Sequence, residues 1–233
     1  MSDYDSVAEA YDLENQNSLL NAYYERPATL GLAGDVAGRR VLDAGCGAGP
    51  LFAALRERGA VVSGFDVSAG MVERARLRLG PDADLRVADL ADPLPYGDAE
   101  FDDVVASLVL HYLEDWGPAL GELRRVLRPG GRLIASVNHP VADYCIARLQ
   151  GRRPDYFATW AEAAEWPVGD QVVKVTFWNR PLHAMTDAFT AAGFRISRIS
   201  EPPPAPEARE LFPDDYHLLA TAPSFLFFVL EVE

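Results

Sequence analysis

The stretch Val41-Leu42-Asp43-Ala44-Gly45-Cys46-Gly47-Ala48-Gly49-Pro50-Leu51 limits this chain's fold more than any other. An apolar, strand-like run ends at Ala44. Three glycines follow at alternate positions, and then comes Pro50, a residue the first helical turn tolerates. Glycine lets the backbone turn sharply and approach a ligand closely. The helix start beyond it offers unpaired N–H groups to an anionic ligand. A strand, a glycine loop and a helix in that order open a βαβ unit, which commits the chain to a parallel sheet.

The rest of the chain keeps that rhythm. Six more strand-like runs lie at 61–65, 85–88, 104–107, 133–137, 194–199 and 225–231, after the first at 41–44. Helical patterns fill 18–32, 51–58, 71–79, 116–127 and 185–192. In one of them Trp116, Leu120, Leu123 and Leu127 share a face at helical spacing. Pro129-Gly130-Gly131 then stops that helix. The expected fold class is α/β, a doubly wound seven-stranded sheet. The length of 233 residues suits a single domain. Residues 139–181 break the alternation, hold Trp160, Trp166 and Trp178, and are too long for a simple crossover. They read as a lid-like insertion that, with an N-terminal helical cap over 1–34, forms the substrate side. The segment Glu201–Pro206 (EPPPAP) reads as a stiff link before the last strand.

Charge narrows the partners. With 35 acidic residues against 21 basic ones, the formal net charge is −14, and Lys174 is the only lysine. Such a field repels phosphate, so no nucleic-acid partner is expected. It suits a neutral or cationic small molecule. The start MSDYDSVAEAYDLENQ lacks the basic and apolar regions of a signal peptide. No apolar run reaches membrane-spanning length, so no membrane partner is expected. Cys46 and Cys145 form no CxxC pair, which fits a reducing cytoplasmic location.

Three strand ends point to one ligand. A dinucleotide loop needs GxGxxG, but here Pro50 stands where the third glycine belongs. A carboxylate at Asp43, two residues before Gly45, is a poor neighbour for pyrophosphate and a good one for an amine or another cation. Asp66 closes the second strand, one βαβ unit later, where a carboxylate accepts both hydrogens of a ribose diol. Val67 and Met71 follow it and offer apolar faces to a purine. Asp89 and Leu90 close the third strand and offer a side-chain acceptor and a backbone group to an adenine edge. Diol, amino group and apolar slot together specify an adenosine.

These residues resemble the class I S-adenosylmethionine-dependent methyltransferases, in particular the small-molecule group that includes the ubiquinone/menaquinone biosynthesis enzymes. VLDAGCGAGP is similar to that family's first motif, and GFDVSAGMVERAR to its ribose region. ADLADPLPYGDAEFDDVVASLVLHYLED is similar to its adenine region and fourth strand, and LRRVLRPGGRLIASV to its fifth strand. FTAAGFRISRI and FLFFVLEV resemble its final strand pair. The resemblance implies an antiparallel last strand and S-adenosyl-L-methionine as cofactor. It implies Asp43 and Gly45 near the methionine moiety, Asp66 at the ribose, and Asp89 and Leu90 at the adenine. Ala44, Gly47, Val67, Met71 and Ser107 complete the implied cofactor set. Ala10-Tyr11-Asp12 resembles the family's N-terminal segment, which implies that Tyr11, with Tyr4, covers the methionine part.

Methyl transfer from a sulfonium needs alignment above all, and a base only where the nucleophile must lose a proton. His111, just past the fourth strand, and His139, just past the fifth, are the candidate bases. Asn138 is a candidate to orient a substrate oxygen, and Arg180 to pair with a substrate carboxylate. His183 and His217 are weaker candidates, and Cys46 reads as a small filler. No His/Cys/Asp cluster has metal-ligand spacing, so no metal is expected. The expected acceptor is an apolar or aromatic small molecule, and the expected assembly a monomer or homodimer. The alternatives are an NAD(P)-dependent oxidoreductase, a non-catalytic S-adenosylmethionine-binding module, and a cyclase or isomerase that uses the cofactor electrostatically.

Overall fold

The computed structural model describes residues 8–168 and 171–233. The strands are β1 (Arg40–Ala44), β2 (Val61–Asp66), β3 (Asp84–Val87), β4 (Phe101–Ser107), β5 (Leu127–Asn138), β6 (Trp160–Val168), β7 (Gln171–Asn179), β8 (Phe194–Ser200) and β9 (Phe225–Val232). The α-helices are α1 (Ala8–Asn17), α2 (Arg26–Ala33), α3 (Pro50–Glu57), α4 (Ala69–Leu79), α5 (Gly117–Val126), α6 (Pro140–Leu149), α7 (Leu182–Ala191), α8 (Ala208–Leu211) and α9 (Pro213–Leu219). Seven strands form one sheet in the order β3-β2-β1-β4-β5-β9-β8, and β6 and β7 form a separate hairpin. In the large sheet only β9 runs antiparallel to its neighbours. The chain leaves the β3 edge and re-enters beside β1 as β4. This reversal of strand order opens a crevice at the carboxyl ends of the strands.

The pleat sorts the core into two layers. Leu42, Ala44, Val104, Ala106, Leu133 and Ala135 pack on one face with residues of α5 and α7. Val41, Val105 and Ile134, one residue out of step, pack on the other with α2, α3 and α4. The period of two puts Asp43 on the second face, toward the N-terminal helices. At the opposite end of the strands, Asp103 is fully buried and anchors β1 to β4 and β5. Its Oδ1 accepts from Arg39 Nη2 at 2.7 Å and from Arg132 Nε at 2.8 Å. Burial alone raises the Asp103 pKa, but the two guanidiniums outweigh it and hold the carboxyl below its usual range.

Several boundaries differ from the sequence expectations. The leading segment 18–32 is not one helix: α1 ends at Asn17, a π-helical turn spans Asn21–Glu25, and α2 begins at Arg26. Helix α5 ends at Val126, and Pro129-Gly130-Gly131 lies within β5, where the pairing with β4 shifts register between Phe101 and Asp103. The insertion 139–181 is α6 followed by the β6–β7 hairpin, which packs Val173, Val175 and Phe177 against Ala10 and Tyr112. The segment after Glu201 leads into α8 and α9 before β9.

Candidate active site

The crevice opens into a cavity of about 930 Å³, near the upper end of the range for ligand sites. The strand ends supply Asp43, Asp66, Ala88, Ser107 and Asn138 to its wall. The glycine loop forms its floor. Gly45, Gly47 and Gly49 all have positive φ. At Gly45 a Cβ would lie 2.7 Å from Val109 Cγ2, so both conformation and space require glycine there. Gly47 N donates to Asp66 Oδ2 at 2.8 Å and Ser68 N to Asp66 Oδ1 at 2.9 Å, fixing the carboxylate against the loop. These two donors orient the Asp66 carboxylate, and a carboxylate oxygen takes more than one donor. Asp89 Oδ1 accepts from Ala91 N at 2.9 Å, and Val67, Met71 and Leu90 line the same region.

Asp43 is a strongly perturbed group. It is 1% exposed, and its Oδ2 has no hydrogen-bond partner among the described residues. Burial, reinforced by Glu25 and Asp66, pushes its pKa up to about 8. Arg26 offsets the burial only in part, and a cationic ligand group in the cavity adds to it. Glu25 is equally enclosed. Its Oε1 accepts from Thr29 Oγ1 at 2.7 Å and from Ser136 Oγ at 2.6 Å. Beside it Arg26 lines the cavity, and desolvation lowers its pKa against the attraction of Glu25.

Glu25 and Arg26 were not identified from the sequence, because that segment reads as an ordinary amphipathic helix. The π turn adds one residue to the helical ladder and carries both groups to the cavity. Asp12 was also missed. It is 4% exposed, lines the cavity, and pairs with Arg78 Nη2 at 2.7 Å and Arg74 Nη2 at 3.4 Å, which pins α1 over α4. The A-x-x-Y-D signal was present, but it drew attention to Tyr11. Tyr11 lies in α1 with its side chain outside the described set, and Tyr4 lies outside the described residues.

Other expected site residues take different places. Ala44 does not line the cavity, because the pleat turns its side chain into the opposite core layer with Leu42. His139 does not line it either. It precedes α6, and its Nε2 lies 2.7 Å from Glu201 Oε1, so it joins β5 to the segment after β8. Arg180 donates to Glu114 O at 2.5 Å and stacks on Trp116 at 4.8 Å, a structural role. His183 and His217 are exposed outside the cavity. Cys46 is a buried thiol whose pKa burial raises, and Cys145 is exposed and unpaired.

His111 lines the cavity and is 5% exposed. Its ring lies 4.7 Å from Tyr112 and 5.2 Å from Phe177, forming an aromatic wall. Burial alone pushes its pKa down to about 3. The imidazole is therefore neutral at physiological pH and a weak proton acceptor, which corrects the expectation of a base tuned near neutrality. Leu108, just before this wall, holds φ of 50°, a left-handed strain often found at functional sites. Among the described residues no group of three His, Cys, Asp or Glu stands close enough to hold a metal ion. No helix among them is long and apolar enough to cross a membrane.

Sheet order, glycine loop and strand-end carboxylates define the Rossmann-like class of S-adenosylmethionine-dependent methyltransferases. Residues 42–135 match the family model described as a methyltransferase domain. A demethylmenaquinone methyltransferase from Renibacterium salmoninarum is 35% identical over 188 residues, covering 73% of this chain and 78% of that protein. One from Clavibacter sepedonicus is 41% identical over 134 residues, covering 56% of this chain and 54% of that protein. This chain thus spans about half the length of the first curated relatives it matches. An S-adenosylmethionine-dependent methyltransferase from Mesorhizobium loti superposes with a TM-score of 0.68 at 28% identity, covering 92% of this chain and all of that one. The chain belongs to the class I S-adenosylmethionine-dependent methyltransferases of the menaquinone/ubiquinone type.

Proposed function

We propose that this chain binds S-adenosyl-L-methionine in the large cavity and transfers its methyl group to a small-molecule acceptor. The observation that carries the reading is Asp43, a buried carboxyl whose orphaned oxygen stands beside a glycine loop in a cavity large enough for cofactor and acceptor together. The donor set fits the cofactor. Asp66 would hold the ribose diol, and Asp89 with Leu90 the adenine edge. Val67 and Met71 would flank the purine. Asp43 would hold the amine, and Arg26 the carboxylate. Gly45, Gly47 and Ser107 supply backbone and hydroxyl contacts, and Tyr11 on α1 belongs to the cap over the methionine end. When bound, the cofactor supplies an electrophilic methyl on a positively charged sulfur. The chain's own work is alignment and exclusion of water, which supplies about 7–11 kcal/mol in well-oriented systems.

The described parts of the N-terminal cap (8–34) and of the insertion (139–168 and 171–181) would form the substrate side. Tyr112, Thr176, Phe177 and Trp178 line the cavity there. The relatives named for demethylmenaquinone support an apolar, aromatic acceptor, and so does this wall. His111 acts as a neutral hydrogen-bonding group, not as a base. The free thiols and acidic charge agree with a cytoplasmic protein. The test is incubation with S-adenosylmethionine and a panel of bicyclic aromatic hydroxy compounds, read by mass spectrometry. A product gain of about 14 Da is expected, formed more slowly by Asp66→Ala at limiting cofactor. Formation of S-adenosylhomocysteine no faster than in buffer across the panel, with no methylated product, counts against the reading.

A further inference from the structure

Among the carboxylates that line the cavity, Glu25 has no counterpart in the proposed cofactor fit. Asp66 and Asp89 would meet the ribose and the adenine, Asp43 would meet the amine, and Asp12 is paired with Arg74 and Arg78. Glu25 is 3% exposed and still lines the cavity. Both of its hydrogen bonds fall on Oε1, from Thr29 Oγ1 at 2.7 Å and Ser136 Oγ at 2.6 Å. Two O–H donors at such lengths mark an ionised carboxylate. Ser136 Oγ itself accepts from Leu108 N at 3.0 Å, so its own hydrogen goes to Glu25. Oε2 has no hydrogen bond among the described residues. Glu25 forms no ion pair among them either, and Arg26 attracts both Glu25 and Asp43 from longer range.

The strand register places the two carboxylates on either side of β4. Asp43 of β1 stands opposite Val105, and Ser136 of β5 stands opposite Ser107. The pleat turns all four residues to the face that the N-terminal helices cover. Asp43 and the Ser136 that holds Glu25 are thus two strands apart, roughly 10 Å at the backbone. Ser107 lines the cavity between them. The site therefore presents one carboxylate at each end of a short span, with a single arginine beside the second.

The charges of this span do not cancel. Asp43 and Glu25 carry two negative charges when both are ionised, and Arg26 carries one positive. The amine and carboxylate of the cofactor's amino-acid end match Asp43 and Arg26. Glu25 is left over, and a buried carboxylate without a matching charge is costly. We infer that Glu25 is a specificity-determining residue that reads the charge on the cofactor's sulfur. The ligand class it selects is a zwitterionic amino acid carrying one further positive charge, which is the methyl donor with its sulfonium. The spent product, a neutral thioether, leaves Glu25 unmatched and is held less tightly. An anion facing a sulfonium stabilises the bound donor more than the transition state, so Glu25 favours exchange of product for fresh donor and does not speed the transfer itself. This inference rests on the assignment of the cavity to S-adenosylmethionine.

The experiment is calorimetric binding of S-adenosylmethionine and S-adenosylhomocysteine to the full chain without acceptor, in low salt and in about 0.5 M sodium chloride. The wild type is expected to bind the sulfonium about tenfold tighter or more, the order one close charge pair supplies. The ratio is expected to persist in high salt, because a pair inside the cavity is poorly screened whereas the field of the −14 chain is not. Glu25→Gln keeps an acceptor for Thr29 and Ser136, and should bring the ratio to about one by weakening the sulfonium alone. Equal affinities in the wild type, or a preference that vanishes in high salt, overturns the inference without any variant and leaves the cofactor assignment standing. An unchanged ratio in Glu25→Gln, which would trace the preference to the extra methyl group, or an equal loss of both ligands there also overturns it. No binding of either ligand to the wild type removes the cofactor assignment, and this inference with it.

Discussion

Ligand binding should expel a proton from Asp43. In the unliganded protein burial and two neighbouring carboxylates raise its pKa to about 8, so at pH 7 it is about nine-tenths protonated. A ligand amine or sulfonium against its unpartnered oxygen favours the ionised form. Binding at pH 7 therefore releases about 0.9 proton, and at pH 9, where the free carboxyl is already ionised, about 0.1. Calorimetric titration of S-adenosylhomocysteine in phosphate and in Tris, whose ionisation enthalpies differ, reads this number directly. Asp43→Asn should remove the buffer dependence and cost about 1.5–3 kcal/mol of affinity, the worth of a hydrogen bond to a charged group. The unliganded protein carries the matching signature. A carboxyl with a raised native pKa adds stability that is complete below its unfolded value of 3.8 and lost as pH rises through about 8. The slope over that window should fall in Asp43→Asn, with a difference of at most about 6 kcal/mol by pH 9, about four units at 1.36 kcal/mol each. A binding enthalpy identical in the two buffers at pH 7 would refute the reasoning.

Three further outcomes follow from other parts of the molecule. Arg26→Ala should weaken S-adenosylhomocysteine roughly tenfold or more and leave 5′-methylthioadenosine, which lacks the amino-acid end, unchanged; equal losses for both ligands would remove Arg26 from the carboxylate. Asp103→Ala should cost about 3–5 kcal/mol in urea unfolding, because Arg39 and Arg132 lose their buried partner. Gly45→Ala should abolish cofactor binding and destabilise the fold by about 1–2 kcal/mol, since a left-handed alanine would also press on Val109; wild-type affinity in that variant would contradict the loop geometry.

The sheet was legible because its signals are local and repeated. Each strand is a short apolar run, and each glycine or proline marks a turn the backbone needs. The strand-end carboxylates Asp43, Asp66 and Asp89 were legible for the same reason, since a βαβ unit fixes where a strand ends. Contacts that cross the chain were not. Glu25 and Arg26 depend on a π turn that leaves no apolar periodicity of its own, and Asp12 finds Arg78 across 66 residues. The period-two pleat that turns the Ala44 side chain into the core, away from Asp43, is also in the sequence. His139 reads as a rim base from its neighbours in sequence, but its partner, Glu201, stands 62 residues away. The neutrality of His111 comes from its burial by Tyr112 and Phe177, a packing event that its neighbours in sequence only half announce.

The most direct test of the central claim is titration of S-adenosylhomocysteine into the wild type and Asp66→Ala at pH 7.5. The expected result is one site per chain in the wild type. The expected loss in Asp66→Ala is about 1.5–3 kcal/mol of affinity, with cooperative unfolding retained at a lower midpoint because Gly47 N and Ser68 N lose their acceptor. Equal affinity in the two proteins, or no binding to the wild type alongside saturable binding of NADH, would contradict it.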